Sequence, residues 1–178
     1  MSVVAELGLR PVRPSVLGAP VRFVGSTALG ARLVSRVIPG IDRAVLRLSG
    51  GRITAVDRLS GLPAIELTTT GARSGAARTV LLIAVVVGDE LAVVGSNWGR
   101  SAHPGWVHNL AADPRASAAH AGRRVDVRAR EVTGEHAERI WRAARSLYRG
   151  YRTYPGRTGG RVIRVFVLEA AAGGPGRA

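Results

Sequence analysis

Cysteine is absent from this chain of 178 residues. Without a thiol the protein can form no disulfide, no thiolate metal site and no cysteine nucleophile, so zinc, iron–sulfur and cysteine-protease chemistry are excluded or nearly so. Aromatic residues are also scarce, at 4% of the chain. The places where the few tyrosines and tryptophans lie are therefore informative.

A long apolar run is also missing from the N-terminal region. Arg10, Arg13 and Arg22 alternate there with prolines, and no segment is apolar enough for a signal-peptide core or a membrane-spanning helix. We therefore expect a cytoplasmic protein.

Acidic residues are few, 12 against 26 basic residues, and the formal net charge is +14. All of the basic residues are arginine. Such a balance favours phosphate, nucleic acid or an anionic membrane surface as a partner. A GC-rich genome, which enriches arginine, alanine and glycine together, explains the charge equally well. The charge alone leaves both explanations open.

The chain length fits one domain, and composition divides the chain into four segments. Residues 1–26 are proline-rich and unpatterned, which predicts a flexible N-terminal arm. Residues 27–61 carry apolar side chains at helical spacing with arginines on the other faces, which predicts a basic amphipathic helical segment. Packing on the domain is the favoured role of this segment, and attachment to a membrane surface is the alternative. Residues 62–169 form the main domain, and residues 170–178 a disordered tail.

The main domain is predicted to be mainly β with helices, an α+β fold. Short apolar runs joined by glycine-containing turns predict antiparallel hairpins. The strands are expected at 62–67, 80–87, 91–96, 115–120, 123–132 and 162–168, and the helices at 101–112 and 133–147, with Thr133 as N-cap. Residues 148–160 are expected to be a loop or broken turn. The pattern predicts a small β-barrel with helices over its ends.

The segment from Gly71 to Gly75 is a candidate anion site. It lacks the lysine of a phosphate-binding P-loop and the three glycines of a dinucleotide fingerprint. Backbone N–H groups at the two glycines, the Ser74 hydroxyl, and the guanidinium groups of Arg73 and Arg78 would still make a phosphate cradle. The alternative is an ordinary hairpin loop with solvated arginines.

All three tyrosines of the chain, Tyr148, Tyr151 and Tyr154, fall within seven residues. They favour a polar-tipped aromatic pocket, although a packed helix end is the simpler alternative. Among the tryptophans, Trp141 is expected in the core.

Two other kinds of site are not indicated. The histidines have no partners at ligand spacing, so no metal site is expected. Ser96 does not lie in a nucleophile elbow, so a hydrolase is not expected either.

Five sequence blocks, in this order and spacing, resemble the deazaflavin-dependent nitroreductase family, whose members use coenzyme F420. The resemblance spans about residues 41–169. The blocks are Leu67-Thr-Thr-Thr-Gly-Ala-Arg-Ser-Gly75, Arg78-Thr79, Gly95-Ser-Asn97, His103-Pro-Gly-Trp-Val-His-Asn-Leu110 and the spaced tyrosines.

The resemblance implies a single-domain split β-barrel of the flavin- and deazaflavin-binding type, preceded by the amphipathic helices. It implies that Arg73, Ser74 and Arg78 meet the coenzyme phosphate and its acidic tail. The full set of cofactor-binding positions that it implies is Thr70, Arg73, Ser74, Arg78, Thr79, Ser96, Asn97, Trp98, Gly99, Trp106 and Asn109. The acceptor pocket, with the catalytic hydroxyls, would consist of Ser96, Tyr148, Tyr151 and Tyr154.

Four positions depart from the family pattern. Ala72 stands where a basic residue is frequent, Leu81 and Arg149 replace frequent prolines, and Trp98 is bulkier than usual. These departures bear on the acceptor more than on the fold or the coenzyme.

The expected function is hydride transfer from reduced F420 to an electrophilic acceptor, which is a quinone, a nitroaromatic or an activated alkene. The alternatives are an FMN-binding split-barrel oxidoreductase and a basic nucleic-acid-binding module, although no strand carries the aromatics that stack bases and no specific nucleic acid is expected. Quinone reduction would suit peripheral contact of residues 27–48 with an anionic membrane. Related barrels are often dimers, so a homodimer is also expected.

Overall fold

The computed structural model of the protein describes residues 1–10 and 61–171. Within these ranges the strands are β1 Ala64–Thr70, β2 Ala77–Ile83, β3 Val85–Val87, β4 Glu90–Val94, β5 Arg115–His120, β6 Arg123–Val132 and β7 Val165–Ala170. The helices are α1 Val3–Glu6, α2 Gly105–Ala112, α3 Gly134–Leu147 and α4 Gly150–Thr153, with short 3-10 turns at Asn97–Gly99 and Pro155–Arg157.

All strand pairs are antiparallel, and the strand order in the sheet is β2-β1-β5-β6-β7-β4-β3. The two outer strands of this order, β2 and β3, are separated in sequence only by Ala84. Ala84 is fully buried and donates its N–H to the carbonyl of Pro63 at 2.8 Å. One bent stretch of chain therefore joins the two ends of the sheet into a split barrel, as predicted.

Side chains of β4 and β7 alternate between two separate cores, because successive residues of a strand point to opposite faces. Leu91 and Val93 join Phe166 in a core that also holds α1 and α2. Ala92 and Val94 join a second core with α3 and the three tyrosines. Both faces of these strands are buried, and the second core positions the tyrosines on the sheet.

The predicted elements are confirmed with four local differences. The apolar run 80–87 is divided into β2 and β3 by the bend at Ala84. Pro104 has extended backbone and precedes α2 rather than lying inside its first turn. Thr133 occupies the N-cap position of α3, but its hydroxyl makes no capping hydrogen bond. The stretch 148–160, expected as a loop or broken turn, contains α4 and a 3-10 turn.

The beginning of the chain differs from the expected flexible arm. Ser2 caps α1, since its hydroxyl accepts the N–H of Ala5 at 3.4 Å. Val3, Val4 and Leu7 are buried in the same core as α2. Their spacing at positions 3, 4 and 7 places them on one helical face. Burial of that face stabilises α1, although the sequence after it shows no helical pattern.

The predicted amphipathic segment lies outside the described residues, apart from Gly61, which has no helical structure. At the other end of the chain, Ala170 still belongs to β7. Among the described helices, none is both long and apolar enough to cross a membrane.

Candidate functional site

The loop between β1 and β2, residues 71–76, is closed by its own hydrogen bonds. The N–H of Gly71 donates to the carbonyl of Ala76 at 2.8 Å, and the N–H groups of Ser74 and Gly75 donate to the carbonyl of Gly71. The Ser74 hydroxyl accepts the N–H of Ala76 at 3.3 Å. The prediction of a backbone nest at the two glycines is therefore wrong, because these N–H groups are already used within the turn. Of the six loop N–H groups, only that of Arg73 has no acceptor in the part of the chain that the structure describes.

Asn109 on α2 ties this loop to the barrel. Its side-chain oxygen accepts the N–H of Ala72 at 3.0 Å, and its amide nitrogen donates to the Thr69 hydroxyl at 2.9 Å. Asn109 and Thr69 are both buried, so each bond replaces water that is no longer available. Asn109 was predicted to contact the coenzyme. Its side-chain amide forms hydrogen bonds that order the loop without a ligand.

Arg73 and Arg78 are exposed on this ordered loop and at its end. In the ranges 1–10 and 61–171, neither guanidinium has a carboxylate within ion-pair distance, whereas five other arginines are paired. Two cations without partners on a pre-ordered loop are the donor set that a phosphate and a polyanionic tail require. These residues therefore fit the phosphate end of F420.

Thr70 and Thr79 do not join this cluster on the same face. Arg78 pairs across the hairpin with Thr69, while Thr79 pairs with Thr68 and the two hydroxyls lie 2.8 Å apart. Because neighbouring residues of a strand point to opposite faces, Arg78 and Thr79 cannot both face one ligand there. Thr70 shares the outer face with Thr79, so neither threonine is placed with Arg78.

The turn after β4 has an unusual backbone. Asn97, Trp98 and Gly99 follow one another at φ values of 48°, 58° and 77°. Left-handed conformation costs roughly 1–2 kcal/mol for a residue with a side chain, and asparagine tolerates it better than tryptophan. Such strain persists only where surrounding contacts enforce it, and it is frequent at functional sites.

Arg161 provides those contacts, and sequence reasoning missed it. Its guanidinium donates to the carbonyls of Gly95 at 3.1 Å, Ser96 at 2.9 Å and Arg100 at 2.9 and 3.1 Å. It also donates to Nδ1 of His103 at 3.2 Å. Arg161 is one of 26 arginines in the chain and lies outside every motif, so the sequence carried no sign of its role.

His103 is held in its neutral form at this contact. Burial, together with the nearby charge of Arg161, lowers the pKa of the His103 imidazole below its ordinary value. Because Nδ1 accepts a hydrogen bond, the ring proton lies on Nε2. His103 therefore completes the shell around Arg161.

The three tyrosines form a closed triangle of rings. The ring centroids of Tyr148, Tyr151 and Tyr154 are 5.6 to 6.1 Å apart in edge-to-face geometry. The hydroxyls of Tyr148 and Tyr154 are 3.1 Å apart, and Trp141 packs edge-on against Tyr151. All three tyrosines are buried in the second core, which is the packed arrangement given above as the simpler alternative, and the polar-tipped pocket stays a prediction.

The turn and the tyrosine triangle are in contact. A Cβ atom on Gly99 would lie 3.2 Å from the ring of Tyr154, and Trp98 packs against the same core as the tyrosines. The structure therefore brings Trp98 and Gly99 next to the tyrosines, while the coenzyme contacts of Ser96, Asn97, Trp98 and Gly99 stay predictions. Trp106 lies elsewhere, buried in the core that holds α1 and edge-on to Phe166, which favours packing over coenzyme contact.

We expect all three phenols to remain protonated at pH values where tyrosine normally ionises. Burial raises the pKa of Tyr148, Tyr151 and Tyr154 above the ordinary value of 10.0. The folded state therefore retains phenol protons that the unfolded chain releases, and its stability falls as pH rises above about 10. A titration of tyrosinate absorbance should show no ionisation until the protein unfolds.

The titration in urea is the control, in which three groups should ionise with an ordinary midpoint. Because the chain has no other tyrosine, the whole signal reports on this triangle. A phenol that ionises near pH 10 while the near-ultraviolet circular dichroism is unchanged would contradict the burial.

The sequence profile of F420H(2)-dependent quinone reductases matches residues 41–170. The chain belongs to this family. The family prediction made from the motifs is thereby confirmed, and so are the enzyme class, an oxidoreductase, and coenzyme F420 as the cofactor of this class.

Similar proteins are known by sequence and by structure. The F420H(2)-dependent quinone reductase Rv1261c of Mycobacterium tuberculosis is 34% identical over 129 residues, which are 70% of this chain and 85% of the relative. The solved structure of the F420-H2 dependent reductase FDR-A is 38% identical with a TM-score of 0.55, covering 60% of this chain and 94% of that one. A structure described as a domain-swapped dimer is 34% identical with a TM-score of 0.57, covering 71% and 95%.

Proposed function

We propose that this F420H(2)-dependent quinone reductase family member transfers a hydride from reduced F420 to a quinone. The observation that carries the proposal is the pair of unpaired arginines, Arg73 and Arg78, on a loop that Asn109 orders in advance. Of the acceptors considered, a quinone agrees best with the family. Nitroaromatics and activated alkenes are outcomes to be compared in the same assay.

The coenzyme would be bound at its phosphate end. Arg73 and Arg78 would supply charge-assisted hydrogen bonds, and the free N–H of Arg73 a further donor. The loop does not have to be ordered during binding, since Asn109 and the hydrogen bonds within the turn already define its shape. Pre-ordering of this kind favours affinity because it reduces the entropy lost on association.

The reacting end would lie at the turn Ser96–Gly99 beside the tyrosine triangle. The Ser96 hydroxyl has no hydrogen-bond partner among the described residues, so it is available to a ligand. Because their pKa values are raised, the phenols of Tyr148 and Tyr154 are donors and not bases. Each phenol carries one proton, and the two hydroxyls form a hydrogen bond with each other at 3.1 Å, so the O–H group that this bond does not use would donate to the quinone oxygen on which negative charge develops.

When bound, reduced F420 supplies a hydride and a proton, so that a quinone that takes both leaves as the quinol and the coenzyme leaves oxidised. The protein residues orient the two molecules and stabilise the charge. Buried, edge-to-face packed tyrosines suit orientation, because their side chains have few alternative positions.

Two further features of the assembly belong to this proposal. The domain-swapped dimer of the related structure supports a homodimer, which analytical ultracentrifugation would test.

The arginines of residues 27–48 support peripheral contact with an anionic membrane. Replacing Arg32 and Arg36 by glutamate should then reduce co-sedimentation with vesicles that contain an anionic lipid.

The function is tested by mixing purified protein, reduced F420 and menadione and following the appearance of oxidised F420. We expect turnover that depends on the protein and gives one quinol per coenzyme oxidised. Reduced FMN in place of F420 is the control for the alternative coenzyme. Turnover with FMN and none with F420 would contradict the proposal, and a nitroaromatic reduced faster than menadione would replace the quinone as acceptor class.

A further inference from the structure

Arg161, outside every sequence motif, holds the turn that we place at the reacting end. All three nitrogens of its guanidinium donate, in five hydrogen bonds, to groups of the segment 95–103. Four of these bonds go to backbone carbonyls and one to the ring of His103. Arg161 therefore connects both ends of the segment between β4 and α2, which is also closed by the hydrogen bond from the side-chain amide of Asn97 to the carbonyl of Ala102 at 2.9 Å.

The choice of acceptors distinguishes Arg161 from the neighbouring arginine. The side chain of Arg164, three residues further along, forms an ion pair with Glu131 and, among the described residues, no hydrogen bond to the turn; only the backbone carbonyl of Arg164 accepts the N–H of Gly95, at 2.8 Å. The guanidinium of Arg161 is rigid and planar. Hydrogen bonds from all of its nitrogens therefore fix the positions of the accepting carbonyls, and its charge stabilises their partial negative charge. Burial lowers the pKa of the Arg161 guanidinium, yet arginine stays charged in proteins.

With its carbonyls directed to Arg161, the turn keeps two N–H groups for a ligand. Ser96 has right-handed helical backbone and Asn97 left-handed backbone, the combination that forms an anion-binding concavity. The N–H of Ser96 donates to the carbonyl of Val94 at 2.8 Å, and those of Gly99 and Arg100 are used within the turn. Those of Asn97 and Trp98 have no acceptor among the residues described here.

We propose that Arg161 is a positioning residue for hydride transfer, which keeps the strained turn in the form that presents these N–H groups and the Ser96 hydroxyl to the reacting molecules. This inference rests on the proposed function. Arg161 acts through the turn and contacts neither coenzyme nor acceptor in this role. Its loss should therefore affect the rate of hydride transfer more than the binding of the coenzyme, whose phosphate end is held by Arg73 and Arg78.

The test compares three variants of the full chain. Arg161→Gln removes the charge and most of the donors, while Arg161→Lys keeps the charge but not the planar fork. Arg164→Gln is the matched control, because it removes a guanidinium of the same segment that bonds Glu131 and not the turn, and it leaves the backbone carbonyl of Arg164 in place. Each variant is examined with F420 for its binding constant and turnover, and without coenzyme by hydrogen–deuterium exchange.

For Arg161→Gln we expect kcat with reduced F420 and menadione to fall at least about tenfold, since misplacement of a reacting group by an ångström has effects of that order or larger. The binding constant for F420 should change less than about threefold, because the phosphate contacts are untouched. Without coenzyme, amides of the peptide 95–103 should exchange at least about tenfold faster. Arg161→Lys should lie between Arg161→Gln and the wild type in both readouts.

The inference is overturned if Arg161→Gln exchanges and reacts like Arg164→Gln. It is also overturned if Arg161→Gln loses coenzyme binding in proportion to kcat. If Arg161→Gln does not fold, Arg161→Lys decides: wild-type exchange and wild-type kcat in that variant would refute the role. A wild-type protein that neither binds F420 nor reduces menadione refutes the proposed function itself, whereas the exchange comparison still shows whether Arg161 holds the turn.

Discussion

Replacing both Arg73 and Arg78 by alanine is expected to weaken the binding of coenzyme F420 at least about hundredfold. Each hydrogen bond between charged partners contributes about 1.5–3 kcal/mol, and a tenfold change in affinity corresponds to about 1.4 kcal/mol. The loop should keep its shape, since neither guanidinium takes part in the hydrogen bonds that close it. The quenching of F420 fluorescence on titration with protein measures the effect.

Each single variant should lose about tenfold or more in affinity by the same estimate. Arg142→Ala is the matched control, because Arg142 is exposed on α3, has no ion-pair partner in the described ranges, and its loss lowers the net charge equally. Long-range attraction alone would make all the variants similar at low salt and would disappear at high salt. Equal affinities for Arg78→Ala and Arg142→Ala would show that the loop does not bind the phosphate.

The second large effect is expected for Gly150→Ala, which should destabilise the fold by about 3 kcal/mol or more, at the upper end of what overpacking costs. A Cβ atom at this position would lie 2.3 Å from the ring of Tyr148 and 2.7 Å from the hydroxyl of Tyr154. No real side-chain carbon approaches other atoms so closely, so the tyrosine triangle would have to separate. Urea unfolding measures the loss, and the tyrosinate titration should then show ionisation closer to pH 10.

Gly156→Ala is the control for this change. Gly156 lies six residues further in the same region, and a Cβ atom there would meet no atom within 4 Å. The control should therefore change the free energy of unfolding by less than about 1 kcal/mol, the range of a glycine-to-alanine change without strain. Similar unfolding midpoints for the two variants would mean that the triangle is not packed as described.

The strands and the long helix were predictable from the sequence because their signals are local. The alternation of β6 between Val125, Val127 and Ala129 on one side and Asp126, Arg128 and Arg130 on the other reflects one buried face and one exposed face. The bounds of β5, β6 and α3 agree with the predictions, since glycine, proline and the change of period mark their ends. The five motif blocks likewise identified the family, and the family in turn identified the coenzyme.

The first residues of the chain show where local reasoning fails. Val3, Val4 and Leu7 form only one turn of helix, too short to stand out beside the prolines that follow. Their burial depends on a surface made by strands more than 80 residues away in sequence. Such a contact has no local signal.

What the sequence by itself determined about this protein is its set of elements, its charge and its family, and it supplied Arg73, Arg78 and the tyrosines as candidate site residues. What only the tertiary structure decided is how these groups are held. Asn109 reaches back 37 residues to the loop, and Arg161 reaches back about 60 residues to the turn. The physical reason is that a hydrogen bond depends on the position of its partner in space, and the closing of the barrel brings these partners together.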